Sequence, residues 1–103
     1  MTFIAPTSQP PYYAVIFTSV RTEGDNGYAD AAASMLALAR EQPGFLGYEA
    51  ARLNGAGISV SYWASLDAIR AWRQHPAHRE MQARADDWYA DSRIRISRVE
   101  RDY

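Results

Sequence analysis

The amino-acid sequence predicts an α+β domain of the ferredoxin-like type, βαββαβ, on a four-stranded antiparallel sheet. Three observations predict it. Four runs have strand composition, at 12–21, 45–53, 58–64 and 93–100. Helical periodicity fills the first and last gaps between them, at 28–42 and 66–88. The dipeptide Asn54-Gly55 joins the two middle strands, and Asn-Gly between alternating runs is a strong hairpin signal. With this order, both helical segments lie economically on one face of the sheet.

Residues 1–11, MTFIAPTSQPP, hold three prolines and no hydrophobic period. They predict an extended arm, loose or laid on a neighbour. The first strand, YYAVIFTSVR, is aromatic and β-branched. Alternation sends Ala14, Ile16 and Thr18 to one face and Val15, Phe17 and Ser19 to the other. TEGDNG (22–27) is a turn, and Asp25 or Asn26 can cap the helix that follows. In that helix Tyr28, Ala31, Ala32, Met35, Leu36 and Ala39 recur near helical spacing. Pro43-Gly44 ends it.

FLGYEAARL (45–53) and ISVSYWA (58–64) form the hairpin, with Ile58, Val60 and Tyr62 alternating against Ser59, Ser61 and Trp63. Ser65 is the next N-cap, and Asp67 suits the positive end of the helix dipole. Leu66, Ile69 and Trp72 share one helical face. Pro76 predicts a kink or a fresh helix start. Met81, Ala85 and Trp88 continue the apolar face, and Trp88 and Tyr89 close the helical segment as core residues. RIRISRVE (93–100) is the last strand. Whichever register the sheet takes, its outer face carries large apolar side chains. A second copy packed sheet to sheet would cover them, so the sequence predicts a homodimer.

The chain of 103 residues has 48% hydrophobic and 22% charged residues, the composition of one globular domain. Eleven basic against 12 acidic residues give a net charge of −1, which argues against a nucleic-acid partner. Every basic residue is Arg, so no lysine nucleophile exists. Cys is absent, which excludes disulfides, thiolate catalysis and Cys-ligated metal. No apolar run approaches the roughly 20 residues that span a bilayer, and residues 1–11 lack the basic and apolar regions of a secretion signal. The expected location is cytoplasmic, with no membrane partner.

PGFLGYEAAR (43–52), ISVSYWASLDAIRAWRQHPAHREMQ (58–82), WY (88–89) and RISRVERDY (95–103) carry a resemblance. Together they are similar to the antibiotic biosynthesis monooxygenase family, over residues 12–103. The resemblance implies a dimeric α/β barrel made from two ferredoxin-like units. It also implies oxygen chemistry: some members are cofactor-free oxygenases of aromatic polyketides, and others degrade haem. A cofactor-free oxygenase deprotonates a phenol, and the electron-rich product reduces O₂ directly. That chemistry needs an aromatic pocket, a base and a group that stabilises negative charge.

Trp72 and His75 are the candidate catalytic residues, and Tyr62, Trp63, His78 and Arg95 the candidate substrate contacts; Arg93 joins Arg95 as a possible anion holder. The expected substrate is a small electron-rich phenol or quinol, with no cofactor and no metal. Each residue has a plainer role open to it. Trp72 also suits a core anchor between helix and sheet. His75 also suits a cap beside Pro76. His75 and His78, three apart, lack a nearby third metal ligand. Arg93 and Arg95 also suit ion pairs with a partner subunit. The alternatives to an oxygenase are a non-catalytic small-molecule binder and a haem-degrading protein. Haem-degrading members resemble one another in a first-strand Asn, a second-helix Trp and an axial His ten residues beyond it. Trp72 matches the Trp, but Gln82 stands at the His position and the first strand has no Asn.

Overall fold

A computed structural model describes residues 3–103. The order is β1 (Tyr12–Arg21), α1 (Tyr28–Ala39), β2 (Phe45–Leu53), β3 (Ala56–Trp63), α2 (Leu66–Gln74), α3 (Pro76–Ala83), α4 (Ala85–Trp88) and β4 (Tyr89–Val99). The strands form one antiparallel sheet in the order β2-β3-β1-β4. This is the ferredoxin-like α+β fold that the sequence predicts.

The turns work as their residues demand. Asn54 (φ 54°) and Gly55 (φ 84°) are the two loop residues of the β2–β3 hairpin, both left-handed as a type I′ turn requires. The Ser65 hydroxyl accepts the Ala68 N–H at 3.0 Å and caps α2. Before α1, Asp25 accepts the Ala29 N–H at 3.2 Å, although Gly27 occupies the cap position itself. His75 ends α2 and caps α3 with its own ring, and Pro76 opens α3, so the proline starts a fresh helix.

Gly44 has φ +86°, and a Cβ there would meet the Ala68 Cβ at 2.6 Å. The glycine therefore both turns the chain and lets α2 approach. Gly44→Ala will cost about 1–3 kcal/mol, read as a lower urea midpoint at unchanged slope.

Two boundaries differ from the sequence reading. The second helical segment breaks at Arg84, which has φ −99° and ψ 7°. β4 starts at Tyr89, four residues before the predicted Arg93. Ala90, Asp91 and Ser92 have little strand propensity, yet β1 recruits them: Val20 pairs with Asp91 and Ser19 with Ser92. Trp88 does close the helical segment, 1% exposed, with its indole N–H donated to the Asn26 carbonyl at 3.0 Å. Tyr89 instead begins the strand.

The core lies between helices and sheet. Trp63, Ile69, Trp72 and Ala39 form its buried centre, with Tyr13, Val15, Met35, Leu38, Phe45 and Ala68 packed around it. The opposite sheet face carries the N-terminal arm of the same chain. Ala5 lies against Gly47, where a Cβ would meet it at 2.7 Å, and the Ala5 N–H reaches Glu49 Oε2 at 2.9 Å. The Thr7 hydroxyl reaches the Tyr12 hydroxyl at 3.0 Å, and Tyr12 donates to Asp102 Oδ2 at 2.6 Å. The hairpin end of that face stays open. Val20, Ala56 and Leu53 align across three strands, as do Thr18, Ile58 and Ala51, and Val20, Leu53 and Ile58 are 44%, 77% and 52% exposed.

Candidate functional site

A cavity of about 390 Å³ lies between the helices and the sheet. Its size falls within the range of small-molecule sites. The odd-numbered residues of β1 and β3 floor it: Val15 and Phe17 beside Ser59, Ser61 and Trp63. Met35 and Ala39 of α1, Ile69 and Trp72 of α2, and His78, Met81 and Gln82 of α3 roof it. Tyr28, Tyr48, Arg52 and Tyr89 bring polar groups into the lining.

One end is aromatic and tightly held. Trp63 is fully buried and Trp72 is 8% exposed, with ring centroids 6.3 Å apart and planes 25° from parallel. Phe45 meets Trp63 edge-on at 5.4 Å. The Trp63 indole N–H donates to Ser61 Oγ at 2.9 Å, so its polar atom is satisfied inside the core. His78 stands edge-on to Trp72 at 5.0 Å. Its Nδ1 is buried and has no hydrogen-bond partner among the described residues. That nitrogen is covered by protein, so the imidazole meets the cavity through the rest of its ring. Burial pushes the His78 pKa down, and the positive charges of Arg73 and His75 add to that, while the Arg73 backbone opposes it. The neutral imidazole is the favoured form.

That shift has a stability consequence. The folded pKa lies below the unfolded value near 6.5, so between the two the unfolded chain binds more protons. Stability therefore rises with pH across that window and falls on acidification. His78→Phe will flatten the acid side of the thermal-midpoint profile below about pH 6.5, where the parent protein falls with pH.

The other end is phenolic. The Tyr89 hydroxyl donates to the Tyr28 hydroxyl at 3.1 Å. Burial and that contact push the Tyr89 pKa up, partly offset by Arg52 and Arg21. Burial likewise raises the Tyr48 pKa, while the Ser59 hydroxyl and Arg52 lower it.

Trp63, Trp72 and His78 thus come together, as three of the six residues singled out from the sequence. His75 lies outside the lining. Its Nδ1 accepts the Ala77 N–H at 3.1 Å, which fixes the start of the helix that carries His78. Tyr62 and Arg95 are on the opposite sheet face, because strand alternation parts Tyr62 from Trp63 and pairs Arg95 with Ile16. Tyr62 donates to Glu49 Oε1 at 2.6 Å, and burial with that carboxylate holds its pKa up at about 12. Arg93, opposite Thr18, shares that face. Gln82 does line the cavity. Sequence reasoning passed over Tyr28, Tyr48, Arg52 and Tyr89. Only the alternation that places Tyr48 and Arg52 on the face of Ser61 and Ser59 could have drawn them in.

Fold and cavity together define the class of protein: a ferredoxin-like α+β domain with an aromatic cavity between helices and sheet. Among solved structures, the fold is similar to SnoaB, a cofactor-independent oxygenase from Streptomyces nogalater, with TM-score 0.77 and 14% identity over 90% of this chain and 97% of that one. A Shewanella oneidensis protein matches with TM-score 0.76 and 13% identity, over 93% and 97% of the two chains. A Bacillus subtilis protein of uncharacterized role, YqjZ, is 48% identical over 98% of this chain and 90% of its own length. The antibiotic biosynthesis monooxygenase family profile matches residues 11–84. The chain belongs to that family.

Proposed function

We propose that the protein is a cofactor-independent monooxygenase acting on a small electron-rich phenol or quinol. The observation that carries this is the aromatic cavity itself, in whose lining the His78 imidazole stands edge-on to Trp72. A neutral imidazole there accepts the phenol proton. Trp72, backed by the fully buried Trp63, packs against the ring and keeps water away. The phenolate passes electrons to O₂ directly. Without a separate reductant, the substrate supplies all four electrons. The ring carbon ortho or para to the hydroxyl, a CH₂ in the keto tautomer, becomes C=O; one oxygen atom enters the product, and the other leaves as water with the hydroxyl hydrogen and that carbon's hydrogen. His75 acts as a positioning residue, since its cap sets the first turn of α3 and hence His78.

The test is an oxygen electrode with hydroxylated naphthalenes and anthrones in chelator-treated buffer. The reading predicts enzyme-dependent oxygen uptake, and a flat trace across the panel would remove it. A flat trace together with tight ligand binding would favour the non-catalytic binder. A Soret shift on titration with haemin would favour the haem alternative.

The homodimer belongs to the same proposal. The exposed row of Val20, Leu53 and Ile58 on the outer face supports it. Sedimentation equilibrium of the parent chain will give twice the monomer mass, and Ile58→Asp will shift it toward monomer. A parent chain that stays monomeric at micromolar concentration would contradict the dimer.

A further inference from the structure

The cavity is electrically one-sided, and Arg52 is its organised positive group. Its described lining contains Arg52 and Arg73 but no Asp or Glu. Arg52 stands on β2 opposite Gly57 of β3. Gly57 has no side chain to displace it: a Cβ there would meet the Arg52 Cζ at 2.6 Å. The guanidinium therefore lies flat over the glycine backbone. Nη2 donates to Ser19 Oγ at 2.6 Å, and Ser19 is buried, 3% exposed. Nη1 donates to the Ser19 carbonyl at 3.4 Å and to the Gly55 carbonyl. Three of the five donors are thus committed, all to neutral groups. Nε–H and the second Nη2 hydrogen remain, and no carboxylate lies within ion-pair distance among the described residues.

We infer that Arg52 is the anion-recognition group of the cavity, and that the ligand is a hydroxylated aromatic bearing a carboxylate at the end remote from its phenol. This rests on the oxygenase reading for the identity of the phenol end, where His78 waits. The carboxylate end follows from Arg52 alone. A planar carboxylate matches a guanidinium edge with two donors free, and such charge-assisted pairs are strong and directional. Tyr48 and Tyr89 are within electrostatic reach of Arg52, so their hydroxyls frame the same end. On β3, Ser59 and Ser61 separate Gly57 from Trp63, with about 13 Å between Gly57 and Ser61, enough for a fused two-ring body. The Arg52 side chain stays partly solvated at the rim. The ligand can therefore bury its rings and keep its charge at the cavity mouth, which limits the desolvation cost.

The test is anaerobic calorimetry, so that turnover plays no part. The probes are 6-hydroxy-2-naphthoate, with phenol and carboxylate at opposite ends, and 2-naphthol, which lacks the carboxylate. The parent protein will bind the naphthoate about tenfold more tightly or better. Arg52→Met will erase that preference while leaving 2-naphthol affinity within about twofold. Arg70→Met, which removes an equal charge from outside the cavity lining, will leave the preference intact. If Arg52→Met does not fold, Arg52→Lys carries the test: it keeps the charge, loses the fork, and will lower the preference several-fold. Equal binding of the two probes by the parent, or a preference unchanged in Arg52→Met or Arg52→Lys, would overturn the inference. Absence of binding by both probes would overturn it together with the oxygenase reading. A clear preference without any oxygen uptake would keep the anion site and remove the oxygenase reading alone.

Discussion

His78→Phe will lower the initial rate of oxygen uptake by about 10²–10⁴-fold, the usual contribution of one positioned general base. The substitution suits the question because it keeps a flat ring against Trp72 and removes only the proton acceptor. The packing partner lies 5.0 Å away and edge-on, which a phenyl ring can reproduce. The residual rate will rise with pH toward the phenol's own pKa, since bulk hydroxide then does the deprotonation. In the parent protein, kcat/KM will be limited on the acid side by a group titrating below about 6.5, because burial and Arg73 depress His78. Stopped-flow oxygen measurements across pH separate the two profiles. A His78→Phe protein with the parent's rate and acid limb would show that His78 is only a packing residue.

Trp63→Ala will destabilise the domain by about 3–5 kcal/mol. Trp63 is fully buried, meets Phe45 and Trp72, and donates its indole N–H to Ser61. Its loss opens a cavity at the centre of the core and orphans the Ser61 contact. Domains of this size hold roughly 5–15 kcal/mol in all, so the variant will be marginal at room temperature. Urea unfolding followed by far-UV circular dichroism reads the change. Trp63→Phe, which keeps most of the volume, will cost clearly less. A loss below about 1 kcal/mol for Trp63→Ala would mean that Trp63 packs loosely, and the rigid aromatic wall would go with it.

The contrast between these two residues and Tyr62 shows what the sequence could carry. Strand alternation is a strict local rule, so separating Trp63 from Tyr62 needed nothing beyond the pattern. Trp72 takes the plainer role open to it, a core anchor between helix and sheet, and also lines the cavity. His75 took the cap position that its neighbour Pro76 suggested. Arg52 was not legible, because its meaning depends on Ser19, 33 residues earlier, and on a glycine across the hairpin. Such a site exists only once the sheet has formed. The start of β4 was hidden for the same reason: Asp91 and Ser92 are poor strand residues whose pairing with β1 is a tertiary effect. The sequence predicts an arm that is loose or laid on a neighbour; within the single chain, Gly47 and Glu49 of its own sheet give Ala5 a seat.

Turnover under ¹⁸O₂ in chelator-treated buffer, with product and solvent analysed by mass spectrometry, separates a monooxygenase from an oxidase or a binder. A monooxygenase will place one labelled oxygen atom in the product ketone and one in water for each O₂ consumed, with the yield lost in His78→Phe. Unlabelled product, hydrogen peroxide in place of water, or a yield unaffected by His78→Phe would contradict the proposed reaction.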